Sequence, residues 1–310
     1  MACSQGALSK LLVEPGSSAH TFDSSSEIYD YMYENIKKQG RLVGGRGITG
    51  SRSNYANRVK LGSYAIGGRL STYTCSGDLD LWLPRVLGAT EDANSFDVAN
   101  SLPAFGMLID RVAGVFKYSD CYVDKAVWRC KAGPGDSEPE LLEQILEIQC
   151  LAEDSTSDWP ATPPTLSTAA NRVPYITAEG VLTIGGTPYY FHDFVIVVDN
   201  HLEARWVNSL TPTALCPQDR TVMLRVTFPF TAADDAVLSG IYQNASRDDG
   251  VTATIVMTIG SLSTTWTFTG LQWAQVSPDV PGKTEIRLVV DFIARKTGSA
   301  SELVVTNVSS

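Results

Sequence analysis

Arg69-Leu-Ser-Thr-Tyr-Thr-Cys-Ser76 decides how the rest of the chain is read, because it returns as Leu224-Arg-Val-Thr-Phe-Pro-Phe-Thr231. Each run is strand-like and ends at a hydroxyl residue, Ser76 or Thr231, of the kind that caps a helix. A helix-like stretch follows each: Gly77-Asp-Leu-Asp-Leu-Trp-Leu83 and Ala232-Ala-Asp-Asp-Ala-Val-Leu238. Asp78 and Asp234 fall in the first turn, where the helix dipole favours negative charge. More strands come next, then a Pro/Gly-rich loop: Ala132-Gly-Pro-Gly-Asp-Ser-Glu-Pro139 in one copy, Ser277-Pro-Asp-Val-Pro-Gly282 in the other. A repeated β module is the simplest way for one chain to supply two near-equivalent positions in a closed ring.

Working outward, the pattern predicts a mainly β chain with minor α content: two tandem antiparallel β-sandwich or half-barrel modules, each with a short helix. The expected organisation is an N-terminal arm and helix over 1–40, a first module over 41–155, a linker over 156–180, a second module over 181–297 and a C-terminal tail over 298–310. Ser24-Ser-Ser-Glu27 reads as a capping box for a helix from Glu27 to about Lys38, with Ile28, Tyr31, Met32 and Ile36 on one face and Gly40 closing it. Pro84 is expected to stop or bend the helix that starts near Asp78. Strands are predicted around 64–74, 105–111, 115–119 and 122–131. Leu141 to Leu151 is helical by propensity. Its counterpart, Glu285-Ile-Arg-Leu-Val-Val-Asp-Phe292, alternates as a strand, so the repeat decides for strand. In the second copy Val222, Leu224, Val226 and Phe228, then Val251, Ala253, Ile255, Met257 and Ile259, then Trp266 and Phe268 alternate with polar, largely threonine positions. Such runs put one face in a core and the other outward.

The composition narrows the function classes. The 310 residues suffice for two cores, and 44% hydrophobic with 19% charged residues is ordinary globular chemistry. A net charge of −10 disfavours a protein that grips nucleic acid by its phosphates, but not one that lets nucleic acid pass. No apolar run is long enough to span a bilayer, and the N-terminus lacks a secretory pattern. The six cysteines are scattered and read as buried free thiols. The three histidines have no metal-ligand spacing.

Gly45-Arg-Gly-Ile-Thr-Gly50 matches a dinucleotide-binding spacing, yet polar Ser51-Arg-Ser-Asn-Tyr-Ala-Asn57 follows where a helix N-terminus is needed. A glycine-rich strand or bulge is the ordinary reading. The carboxylate pairs Asp78/Asp80, Asp234/Asp235 and Asp248/Asp249 fit helix starts and a turn better than acid–base or metal chemistry. No nucleophile context is present, the tryptophans read as core or interface anchors rather than a sugar platform, and the chain is expected to be no enzyme and to need no cofactor.

One segment goes beyond pattern. Asp199-Asn-His-Leu-Glu-Ala-Arg-Trp-Val-Asn-Ser209, continuing through Leu215-Cys-Pro-Gln-Asp-Arg220, resembles a signature of the phage tail tube proteins, the major tail proteins of long-tailed bacteriophages. Further pieces fit in order: Phe22-Asp-Ser-Ser-Ser-Glu27, Gly47-Ile-Thr-Gly-Ser-Arg52, Gly67-Gly-Arg-Leu70, Leu87-Gly88, Leu102-Pro-Ala-Phe105, Asp110-Arg111, Cys121-Tyr-Val-Asp124, Glu285-Ile-Arg-Leu288 and Arg295-Lys-Thr-Gly298. Pro84 and the acidic stretch Glu138–Glu147 depart from the pattern.

The resemblance implies a structural subunit of the virion tail, assembled in the host cytoplasm, whose sheets join across subunits into a β-barrel. Its rings stack around a channel that conducts DNA. Expected partners are further copies of itself, with trimeric pseudo-hexameric rings favoured and a hexamer possible, the tape-measure protein, and tail terminator and baseplate proteins. Lumen candidates are Glu143, Glu147 and Asp291, whose acidity would repel phosphate. Ring-stacking candidates are Ser51, Arg52, Asn54, Tyr55, Arg58 and Lys60. The alternative is a virion-surface adhesin module that uses exposed Trp and Tyr.

Overall fold

Alternation of apolar and polar residues is realised along most of the chain, in a computed structural model that describes residues 8–16, 20–44, 58–132, 140–165, 170–230, 237–243, 250–278 and 285–309. The first half runs β1 (Lys10–Pro15), β2 (Glu27–Tyr29), β3 (Tyr33–Glu34), β4 (Lys37–Gly44), β5 (Val59–Tyr73), α1 (Ser76–Leu87), β6 (Ser95–Asp97), β7 (Phe105–Asp110), β8 (Val115–Lys131) and β9 (Glu143–Asp154). The second half runs β10 (Gly180–Ile184), β11 (Thr187–Tyr189), β12 (Asp193–Asp199), β13 (Leu202–Arg205), β14 (Ala214–Pro217), β15 (Thr221–Pro229), a π-helical turn (Val237–Tyr242), β16 (Val251–Ile259), β17 (Leu262–Trp273), β18 (Arg287–Ala294) and β19 (Leu303–Val308). The fold is mainly β, as the alternation predicts.

The two halves share one pairing scheme. β1 pairs β2 and β7, β4 pairs β5, β5 pairs β9, and β8 pairs β7 and β9. Likewise β10 pairs β11 and β16, β12 pairs β15, β15 pairs β18, and β17 pairs β16 and β18. The helix α1 and the π-helical turn occupy the same place in the two schemes. The ladder registers place Arg69 opposite Glu147 and Arg225 opposite Asp291. Arg69 therefore corresponds to Arg225, one residue on from the Leu224 match that the sequence offers. That single step matters, because it exchanges the two faces of a strand.

Two layers enclose the core. One is a continuous antiparallel sheet in the order β4-β5-β9-β8-β12-β15-β18. The other is made of β2-β1-β7 and of β11-β10-β16-β17-β19-β6. Aromatic rings fill the space between: Tyr29 against Trp82, Trp82 edge-on to Phe105, Tyr189 edge-on to Phe228, and Trp273 against Phe292. Trp128 of β8 meets Trp266 of β17 at 6.3 Å between ring centroids, so the core runs unbroken from one half into the other.

Several local expectations are corrected. Residues 27–38 form β2, β3 and the start of β4 instead of a helix. Ser26 Oγ accepts from the Asp23 amide, making a turn instead of a helix cap, and Arg111 reaches across to grip Glu34 at 2.8 Å and the carbonyl of Ile36 at 2.5 Å. These ties hold the segment extended. Gly40 lies inside β4 opposite Tyr64.

Helix α1 begins after Cys75, whose thiol donates to Asp78, and Ser76 is inside the helix instead of capping it. Pro84 does not end α1, which continues to Leu87 and closes when the Gly88 amide donates to the Pro84 carbonyl. The helix tolerates the missing amide because Leu79, Trp82, Leu83, Val86 and Leu87 are buried, and packing outweighs the local penalty. The strands expected at 115–119 and 122–131 are one strand, β8, bent at Asp120, where φ is 51°. β1 lies within the expected arm and β19 within the expected tail. Leu11, Leu12, Val13, Leu303 and Val305 are all buried. The run from Leu141 is a strand, as the repeat predicts, with Leu146, Ile148 and Cys150 in the core.

Candidate functional site

The polar face of the seven-stranded layer is the feature that the fold builds most deliberately. Because side chains alternate, the strands that send Leu70, Leu146, Trp128, Ile196, Leu224 and Phe292 into the core send Arg69, Glu147, Arg129, Val195, Arg225 and Asp291 to the other side. Register then lines these residues up across strands. One row reads Tyr73, Glu143, Arg129, Val195, Arg225, Asp291. A second reads Arg69, Glu147, Lys125, Asp199, Thr221. Between them runs an apolar row of Ile145, Val127, Val197, Met223 and Ile293.

The three lumen candidates all lie on this face, and each is paired. Glu143 is only 9% exposed; it accepts from Ser71 Oγ at 2.6 Å and meets Arg129 Nε at 2.7 Å. Glu147 meets Arg69 at 2.6 Å. Asp291 accepts from Nε and Nη2 of Arg225 with its two oxygens, at 2.5 and 3.0 Å, and this raises the guanidinium above its ordinary value. Lys125 and Asp199 make a fourth pair across the β8–β12 ladder at 3.4 Å.

Of the stacking candidates, Arg58 and Lys60 lie at the start of β5. Ser51, Arg52, Asn54 and Tyr55 fall outside the described residues. Arg58 precedes β5, and Lys60, expected in a loop, belongs to β5 opposite Val43. The base of the β4–β5 hairpin exposes Leu42 (73%), Val43, Val59 and Leu61. A second hairpin, β13–β14, carries exposed Trp206, Val207 and Leu210, and the Leu210 carbonyl accepts from the Tyr64 amide of β5 at 2.9 Å. Exposed Tyr73, Val173, Ile176 and Tyr190 mark the opposite end of the strands.

The signature segment Asp199–Arg220 has a role that pattern reading did not foresee. Asn200 is buried and donates to the carbonyls of Val86 in α1 and Val123 in β8, both at 3.1 Å. Its own side-chain oxygen accepts from Arg220, which also holds Glu302 and the Ala99 carbonyl. Asp124 receives the amide of Leu202 and the side chain of Gln149. The segment ties helix, first-half strand and C-terminal strand into one node beside the β8–β12 ladder. The signal for it was the density of Asn, Asp and Arg in a stretch too polar for a core.

Little here resembles a reactive centre. Burial pushes the Cys75, Cys121 and Cys130 thiols up, so they stay protonated and unreactive. Among the described residues no group of three or more His, Cys, Asp or Glu is placed to hold a metal ion. Trp82, Trp128, Trp266 and Trp273 are buried. Among the described residues no helix is long and apolar enough to cross a membrane.

A family model described as phage tail tube protein matches residues 7–303. A search of curated proteins finds no match.

Proposed function

The chain belongs to the phage tail tube protein family, and from that premise we propose that its two halves form adjacent sectors of a ring, with rings stacked around a channel that conducts DNA. The coarser role follows from membership itself: a structural component of the virion tail that assembles with its own kind into a tube.

The β8–β12 ladder carries the finer reading. It joins the last strand of the first half's sheet to the first strand of the second half's, through seven registered positions from Lys125–Asp199 to Lys131–Asp193. Among the described residues, the equivalent partners are missing at the sheet's outer margins. β4 pairs only β5 among the described residues, and all eight of its residues are exposed. β18 meets β17 only through Phe292 and Ile293, and the continuation Ala274–Val276 is exposed and outside any strand. By the internal repeat, Ala274–Val276 stands where the end of β8 stands, and β4 stands where β12 stands. A second copy supplying β4 to that margin repeats the internal joint between chains. Open strand edges of this kind are liabilities in a monomer and joints in a closed barrel. With two sectors per chain, three chains close a pseudo-sixfold ring.

Stacking uses the two ends of the strands. The Leu42–Leu61 hairpin base and the Trp206–Leu210 tip are apolar at one end, and Tyr73, Ile176 and Tyr190 are apolar at the other. Different surfaces at the two ends give head-to-tail contacts that propagate without limit. Negative-stain microscopy of the purified chain tests the proposal. Rings of three chains, stacked into hollow tubes, are the expected image. A chain that stays discrete at every concentration would refute it.

A further inference from the structure

The outward face of the long sheet holds its charges in direct opposition across strands. Arg69–Glu147, Lys125–Asp199, Arg129–Glu143 and Arg225–Asp291 are each in ladder register as well as in ion-pair contact. In these four pairs every cation is matched by a carboxylate, so together they add no net negative field to the face. In two of the pairs the side-on fork of the guanidinium, Nε with Nη2, is occupied. Asp291 takes Nε and Nη2 of Arg225, and Glu147 takes Nε and Nη2 of Arg69. The row between the charged rows holds Ser71, whose hydroxyl is given to Glu143, and then Ile145, Val127, Val197, Met223 and Ile293, which have no polar side-chain group.

We propose that the carboxylates of this face serve to mask Arg69, Arg129, Arg225 and Lys125 from nucleic-acid phosphates, so that DNA passes these four positions without meeting a free cation. This rests on the reading of the face as the channel wall. It departs from the expectation that Glu143, Glu147 and Asp291 act by repelling phosphate. The physical weight favours masking. An unpaired arginine offers a phosphate a charge-assisted fork and releases a counterion, and each phosphate neutralised steepens the salt dependence of binding by about 0.9 in log–log slope. A few such sites per chain, repeated along a tube, would hold DNA rather than pass it. An Arg–carboxylate pair presents no net charge, and its side-on fork is already taken.

The test titrates a short DNA duplex against the full chain, both assembled and soluble, because the face is open in the single chain. The E147Q/D291N variant is used, since both pairs are largely solvent-facing and Glu143 is packed. The wild type is expected to retain no duplex at low salt. E147Q/D291N should bind at least about tenfold more tightly, with affinity falling as salt rises. Adding R69Q and R225Q should abolish the gain. Equal affinity of wild type and E147Q/D291N overturns the proposal, as does a gain that survives removal of both arginines. If the wild type never forms tubes, the ring reading fails, while the titration on the soluble chain still decides whether the carboxylates mask.

Discussion

Single residues show how closely the core and the polar face are specified. Trp128 is fully buried, stacks near Trp266 and donates its indole N–H to Gln144 at 2.9 Å. Trp128→Ala removes the ring and strands the Gln144 acceptor, and should cost about 3–5 kcal/mol in chemical denaturation. His20 packs so close to Gly106 that a Cβ there would lie 2.3 Å from the ring. Gly106→Ala should therefore destabilise by about 1–3 kcal/mol through overpacking. Burial and then Lys117 hold the His20 imidazole below its ordinary value of 6.5. The folded chain keeps the ring neutral, while the unfolded ring takes up a proton below its ordinary value. The stability this provides is full above that value and is lost as pH falls through and below it. Melting at about pH 7.5 and about pH 5.5 should show a smaller acid-induced drop for His20→Gln than for the wild type. Glu143, Glu147 and Asp291 were legible as outward carboxylates, since alternation alone assigns faces. Their arginine partners were not. Each partner lies 14 to 78 residues away in the chain, and only ladder register reveals the match.

At the scale of elements, alternation succeeded where a run was long, and helical spacing misled where runs were short. β15, β16 and β17 follow the alternation predicted for them, and β9 is a strand despite its helix-favouring Leu, Glu and Gln. Ile28, Tyr31, Met32 and Ile36 mimic a helix face only because two brief strands, β2 and β3, and the bends beside them fall across that span. What holds that segment is remote: Arg111 on Glu34, and the Tyr118 hydroxyl on the Ile36 carbonyl at 2.9 Å. No local window contains such partners. Pro84 does not stop its helix, which burial keeps despite the missing amide. The β8–β12 ladder gives the sharpest test at this scale. Val197 is registered with Val127 on one side and Met223 on the other. Val197→Pro removes a ladder donor from an interior strand, which a sheet tolerates only at edges. It should cost about 2–4 kcal/mol in thermal or urea melts, and rings should be lost in micrographs even where the chain remains folded.

For the whole molecule, the internal repeat was the most informative thing in the sequence, and it prefigured the shared pairing scheme of the two halves. What it could not give was the shared sheet, because a joint between halves leaves no periodic trace in either. The segment between β4 and β5 belongs to this scale, since its proposed partner is another ring, whereas the edge of β4 is proposed to meet a neighbour in the same ring. Deleting residues 51–60 should leave chains with native-like melting that no longer polymerise, as judged by sedimentation and microscopy. Normal tubes from the deletion would remove the stacking role. The β8–β12 ladder also bears on how fast such a particle can form. In a ring of three chains, every second seam is closed within a single polypeptide, at an effective concentration that no free subunit reaches. Closure then needs three encounters in place of six. The threshold for nucleating a tube should be correspondingly low, and cutting the backbone between residues 155 and 170 should raise it.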